Sequence, residues 1–322
     1  MDEYTRTSGG RVTVRDILVD AQRRLASSGI ESASVDSAEI IALVMGTTRS
    51  RLVMQDVVDD DRRVRIEQLL TRRAMRTPLQ HLIGTAPFRR IEVSVGPGVF
   101  IPRPETELVT EAAIRELVRS EDRSAVDLCS GSGAIAISLA IEVPGAQVHA
   151  VEIDDVAVSW THQNAAGHEE RIRVAGSSLT VIHDDAVVVA DPGHALHAMT
   201  GKIDVVIANP PYIPNRMVPR EPEVRDHDPR RALFGGEDGL DVARGVAAAA
   251  GALLRPGGLL VMEHADSQGP DAPDGGMPMM LAVQQVDGQA IWQDIVDRID
   301  YNGRPRFTMA RRSAVPAPPG RD

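Results

Sequence analysis

The chain has 322 residues, is 43% hydrophobic and carries a formal net charge of −11, enough length and apolar content for two domains with their own cores. Its one cysteine, Cys129, excludes an intrachain disulfide and with it the cysteine-stapled secreted class. No apolar run is long enough to span a membrane, and the polar start has no apolar signal core, so the expected location is the cytoplasm. Charge is uneven: residues 1–90 balance at +3 and the remainder at −14. An acidic larger part argues against direct tight binding to a nucleic-acid backbone.

Residues 1–11 read as disordered, and residues 13–76 read as helices. Val14, Ile17, Leu18, Ala21 and Leu25 recur at helical spacing, with Thr13 as N-cap and Gly29 as stop. Ser34 can cap a second helix through Ile40, Ile41, Leu43 and Val44 that ends at Gly46. A short segment at Leu52 and Val53 follows. Asp60 can cap a last helix carrying Val64, Ile66, Leu69 and Leu70, ended by Pro78. Arg62, Arg63, Arg65, Arg72, Arg73 and Arg76 read as a solvated helix face. The expectation is a small helical bundle over 1–77.

Residues 78–104 read as a linker with a β-hairpin, because Phe88 to Val95 alternates like a strand. Arg103 and Glu105 flank Pro104, so their backbone is stiff, and Thr106 to Leu117 reads as a helix. From Ala125 strands and helices alternate. Strands are expected at Val126–Leu128, Val148–Val151, Thr180–His183, the run ending at Asn209, and Gly258–Glu263. That alternation predicts an α/β domain over 105–312, a parallel sheet with helices on both faces. Residues 304–310 add a final antiparallel strand, and 313–322 read as a disordered tail.

Two stretches carry chemistry. The first is Ile203-Asp-Val-Val-Ile-Ala-Asn-Pro-Pro-Tyr212, a β-branched strand stopped by Pro210, which has no N–H for a ladder. The loop it enters is stiff and stands at the carboxyl end of a strand, where open α/β sheets bind ligands. It offers the Asn209 amide, the Pro210 carbonyl and the Tyr212 ring, with Pro211 holding them in place. Such a set suits a planar –NH2 group beside an acceptor: Asn209 accepts from the –NH2 and donates to its neighbour, the Pro210 carbonyl takes the second N–H, and Tyr212 stacks.

The second is Asp127-x-Cys129-Ser130-Gly131-x-Gly133 after a strand, with Glu152 closing the next one. Glycines there let backbone approach a ligand closely, and a carboxylate at 152 can take both hydroxyls of a ribose. The spacing is not that of a dinucleotide site, since Ala136 replaces the third glycine, and no Gly-Lys-Ser/Thr follows for a phosphate. Acidic Asp127 suits a cationic ligand without phosphate, which points to S-adenosylmethionine.

Taken together, the chain resembles the class I S-adenosylmethionine-dependent methyltransferases (Rossmann-like fold) with an Asn-Pro-Pro-Tyr loop. More narrowly it resembles the peptide chain release factor glutamine methyltransferases. The resemblance rests on Pro78 to Gly84 with Phe88, Phe100-Ile-Pro-Arg-Pro-Glu-Thr-Glu107, Asp127 to Ala136, Glu152, Asn209 to Ile213, Ala232 to Gly236 with Asp238-Gly-Leu240, and Asp300-x-x-Gly303-Arg304-x-Arg306. It implies N5-methylation of the glutamine in the Gly-Gly-Gln motif of release factors. In that reading Asn209, Pro210 and Tyr212 act on the target amide. Arg103, Glu105 and Pro211 shape the substrate pocket. Asp127, Ser130, Gly131, Gly133, Glu152 and Asn209 border the cofactor, and Asp184 or Asp185 reaches the adenine, with Asp185 taken as the contact. No metal is required. The helical amino-terminal part would dock the protein substrate. Cys129 stands where the family has glycine, Asp228 where it has glutamate, and 268–290 reads as a loop insertion. The competing readings are a DNA or ribosomal RNA amino-group methyltransferase and a non-catalytic S-adenosylmethionine-binding homologue.

Overall fold

The computed structural model describes residues 12–55 and 57–314; the expectations for 1–11 and for the tail beyond 314 lie outside the described residues. The chain divides into two compact units. One holds the residues through Thr85 together with Arg220–His227; the other holds Ala86–Pro219 and Asp228 onward.

The first unit contains α1 (Val14–Ser27), α2 (Ala33–Met45), α3 (Asp60–Ala74) and α4 (Leu79–Ile83), with a 3-10 turn at Arg49–Met54. Thr13 caps α1 through a capping box with Asp16. Gly46 closes α2 in the left-handed conformation. Two caps differ from expectation by a residue or two: the N-caps of α2 and α3 are Ser32 and Asp59, and Ser34 and Asp60 lie inside their helices. Polar residues cluster at both starts, and spacing cannot say which one leaves helical φ/ψ first. The apolar stripes meet in one core that includes Leu25, Ile40, Ile41, Ile66 and Leu70.

The arginine run is not uniformly solvated. Arg73 is buried, with its Nε 2.6 Å from Asp36 and its Nη1 2.8 Å from Glu223. Arg76 donates to the other oxygen of Glu223 at 2.7 Å and to the Gly29 carbonyl. Glu223 arrives from far along the chain, so helical spacing around residue 73 held no sign of it. Removing one member of a buried ion pair strands the other charge, at a cost of about 3–5 kcal/mol. Asp36→Ala, which leaves Glu223 in place, is expected at the lower end, about 3 kcal/mol, read as a lower denaturant midpoint for this unit.

The second unit opens at Ala86, inside the hairpin of β1 (Thr85–Phe88) and β2 (Ile91–Ser94), followed by α5 (Thr106–Leu117). The alternation follows: β3 (Ser124–Leu128), α6 (Ala134–Glu142), β4 (Gln147–Glu152), α7 (Asp155–Gly167), α8 (Glu169–Val174), β5 (Ser178–His183) and β6 (Ile203–Ala208). The short α9 (Pro222–His227) belongs to the first unit. Then come α10 (Arg230–Leu233), α11 (Asp241–Leu253), β7 (Leu254–Glu263), α12 (Gly276–Ala282), a small hairpin of β8 (Gln285–Val286) and β9 (Gln289–Ala290), β10 (Trp292–Ile299) and β11 (Pro305–Arg312). The main sheet runs β10-β11-β7-β6-β3-β4-β5. Strands β3 to β7 are parallel, and β11 is antiparallel to both β7 and β10.

Two features differ from the sequence reading. Residues 268–290 are not a bare loop: they contain α12 and the small hairpin, and Met277, Met280 and Leu281 are buried. Glycines and prolines mark the segment as irregular, yet Gly275 is the N-cap and Pro278 sits in the first turn, where a missing N–H costs nothing. Ser313 is no free tail either; its N–H donates to the Ile291 carbonyl and its hydroxyl to that of Ala290.

The period-two rule decides what the sheet presents. Ala125, Val205, Ile207, Leu259 and Val261 pack on the face covered by α5 and α6, while Val126, Val206, Leu260 and Met262 pack on the other, against α11. Asp127 pairs in register with Ile207, and Ile207 with Val261. Two residues on, Asn209 and Glu263 therefore aim toward the same α5 side.

Candidate active site

Because β3 to β7 are parallel, their carboxyl ends share one edge, and the candidate residues gather there. At the end of β3, Asp127 is wholly buried. One of its carboxylate oxygens accepts from the Ala136 N–H at 3.1 Å and the other has no partner among the described residues. Burial, with the charge of Glu152 adding, pushes its carboxyl up to about 8 against the opposing Ala136 hydrogen bond. The buried Ser130 hydroxyl is also unpartnered among the described residues.

The turn that follows is braced on every side. Gly131 donates its N–H to Glu152 Oε2 at 2.8 Å, and its carbonyl accepts from Thr161 Oγ1 at 2.7 Å. Asn164 donates to the Ser132 carbonyl at 2.9 Å. Gly133 caps α6 at φ +80, and a Cβ there would press on the Thr161 side chain. Cys129 itself has φ +68, a conformation that favours glycine. Burial, with the carboxylates of Glu152, Asp127 and Asp185 adding, pushes its thiol well above the ordinary range.

Glu152 first braces this loop. Its Oε1 accepts from Ile153 and Asp154 N–H groups, so three acceptor sites of the carboxylate are used and roughly one remains. That leaves the carboxylate fewer acceptor positions than a grip on two ribose hydroxyls would use. At the end of β5 the two aspartates differ. Asp184 is spent on His194 and the Ala195 N–H, whereas Asp185 uses one oxygen on its own turn, at Val187, and the other accepts no hydrogen bond among the described residues.

Asn209 follows β6. Its Nδ2 lies 3.4 Å from the Thr106 hydroxyl at the start of α5. Neither its Oδ1 nor the Pro210 carbonyl accepts a hydrogen bond among the described residues. The half-buried Tyr212 has its phenol pushed up by burial, with the charge of Glu263 adding. Arg103 lies 4.8 Å from the Phe100 ring centroid and donates to Asp228 at 2.6 Å. Asp228 is buried and its carboxyl is raised to about 6 by that burial, with Arg103 opposing. No hydrogen bond holds the Glu105 carboxylate among the described residues.

Comparison with known proteins decides the family. Residues 16–84 match the PrmC N-terminal domain and residues 90–219 the methyltransferase small domain. A release factor glutamine methyltransferase of Streptomyces coelicolor is 43% identical over 92% of this chain and 97% of its own length. Proteins of the same description from Mycolicibacterium smegmatis and Mycobacterium tuberculosis H37Rv are 38% and 37% identical, over 94% of this chain and 98% and 92% of theirs. The chain belongs to the release factor glutamine methyltransferase family.

Membership makes sense of a segment that carried only resemblance before. In Ala232-Leu-Phe-Gly-Gly-Glu-Asp-Gly-Leu240 the glycines cradle the Asn-Pro-Pro-Tyr loop. A Cβ on Gly235 would run into the Pro211 carbonyl and one on Gly239 into that of Tyr212. Ile213 donates its N–H to the Leu233 carbonyl at 2.8 Å and accepts from the Gly235 N–H at 2.9 Å. Gln268 pins the loop from a third direction, its amide 3.0 Å from the Tyr212 carbonyl. Thr106, Thr161, Asn164, Glu263 and Gln268 were not singled out from the sequence. Parity along β7 could have found Glu263; nothing local marks the others.

Proposed function

We propose that this chain uses S-adenosylmethionine to methylate the side-chain nitrogen of the Gly-Gly-Gln glutamine in peptide chain release factors, in the cytoplasm. The carrying observation is the pair of unspent acceptors, Asn209 Oδ1 and the Pro210 carbonyl, on a loop clamped by the glycine cradle and Gln268. Family membership supports the substrate. The cofactor supplies a methyl group on a sulfonium, already activated for transfer. The unpartnered Asp127 oxygen and Ser130 hydroxyl suit a cationic, phosphate-free group, and Glu152 and Asp185 each keep a free acceptor for its nucleoside part.

An amide nitrogen is a poor nucleophile because its lone pair is shared with the carbonyl. Two acceptors holding both N–H groups fix the plane of the amide and aim its face, so positioning carries most of the rate. Proton loss follows transfer, when the nitrogen has become acidic. Tyr212 flanks the target, and Arg103, fixed by Asp228 and Phe100, with Glu105, borders the same edge. The net charge of −14 over residues 91–322 supports a protein rather than a nucleic-acid substrate. No helix among the described residues is long and apolar enough to cross a membrane. The helical unit, with its basic arginines, is the docking surface in this reading.

The test uses labelled S-adenosylmethionine, a release factor, and the same factor with the motif glutamine changed to alanine. Label on the first alone is the expected result. Label on neither, with cofactor binding confirmed, overturns the reading in favour of a nucleic-acid substrate or a non-catalytic binder.

A further inference from the structure

Glu263 ends β7 beside Asn209. It is 1% exposed, and one of its carboxylate oxygens has no hydrogen-bond partner among the described residues. The Thr106 side chain faces the carboxylate, and its hydroxyl receives the Asn209 amide at 3.4 Å. We propose that Glu263, acting through the Thr106 hydroxyl, sets which way round the Asn209 amide stands and is thereby a positioning residue for methyl transfer. This rests on the functional reading above.

A hydroxyl has one proton. An ionised carboxylate only accepts, so Thr106 spends that proton on Glu263 and turns its lone pairs to Asn209. Only the Nδ2–H2 end of the amide can then face Thr106. The Oδ1 is left pointing away, free to accept from a substrate –NH2. If Glu263 is protonated, it donates to Thr106, whose own proton is released to seek the Asn209 oxygen. The amide then turns over and presents donors to a donor. The ionised form of Glu263 is therefore the competent one.

Surroundings place that ionisation in a useful range. Burial pushes the Glu263 carboxyl up to about 7, opposed by the Thr106 hydrogen bond. The other groups facing it are Glu105 at the start of α5, Arg306 on β11, the adjacent His264, and Tyr212 from the loop. Arg306 is itself tied to Asp300 at 3.1 Å, and His264 to Asp297 at 2.8 Å, so neither is free to swing onto the carboxylate. The group is poised without being neutralised by a direct ion pair.

The experiment measures kcat, the KM for the release factor and cofactor affinity from acid to mildly alkaline pH, for wild type, Glu263→Gln, Thr106→Val and Thr106→Ser. Wild-type kcat is expected to rise with pH through about 7. Glu263→Gln and Thr106→Val are expected to lose that inflection and to fall roughly tenfold in kcat on the alkaline side, with KM and cofactor affinity little changed. Thr106→Ser, which keeps the hydroxyl, is expected to recover most of the rate and the inflection. An active wild type whose inflection and kcat survive in Glu263→Gln overturns this inference alone, as does a Thr106→Ser that behaves like Thr106→Val. Should Glu263→Gln fail to fold, judged by lost cofactor binding, the two Thr106 variants decide. A wild type that binds cofactor without labelling the factor overturns the functional reading, and this inference with it.

Discussion

Asn209→Ala is expected to lower kcat by about a thousandfold or more while changing the Kd for S-adenosylmethionine little. Losing one preorganised polar group at a reacting centre costs roughly a hundred- to a thousandfold. In the proposed reading the same group also fixes the orientation of the target amide, which adds to the loss. Cofactor affinity is spared because the groups suited to it stand elsewhere, on the β3 turn and at the ends of β4 and β5. The measurement pairs single-turnover transfer of labelled methyl with calorimetric titration of the cofactor. Parallel loss of transfer and binding would show that Asn209 serves the cofactor instead.

Gly235→Ala should have the second-largest effect, although residue 235 bears no functional group. The added Cβ would be driven into the Pro211 carbonyl and, at 2.5 Å, the Gly239 carbonyl, both of them backbone. Backbone cannot rotate out of the way as a side chain can, so the Pro210–Tyr212 loop or the cradle must shift. Overpacking of this kind costs roughly 1–3 kcal/mol of stability, and displacement of the acceptors by even about an ångström costs about a hundredfold in rate. The expected result is a folded protein with a lowered melting temperature, near-normal cofactor affinity and kcat reduced about a hundredfold. Wild-type kcat in this variant would mean that the cradle does not hold the loop.

Much of this was legible in the sequence because its causes are local. Pro210 must end a strand whatever surrounds it, and Gly131 and Gly133 announce a backbone that turns where side chains do not fit. Apolar strands alternating with helices leave a parallel sheet as the economical solution. The misread positions share a different cause. Ser34 and Asp60 lost the caps to Ser32 and Asp59 because several residues could do the same job. Arg73 was read as solvated because its partner Glu223 lies 150 positions away. β10 went unread because an edge strand bearing Asp294, Asp297 and Arg298 lacks the apolar signature of a buried one.

By itself the sequence determined most of the elements, the stiff Asn209–Tyr212 loop and, through the two-residue period, which positions of each strand look the same way. Those are consequences of φ/ψ limits and hydrophobic periodicity, which act over a few residues. Only the tertiary structure decided that β7 lies beside β6, that α5 begins over both, and that Thr106 therefore stands between Asn209 and Glu263. It likewise decided that Gly235 and Gln268 close on the loop. Strand order and buried polar partners depend on packing between segments tens of residues apart, and no local pattern encodes which segments will meet.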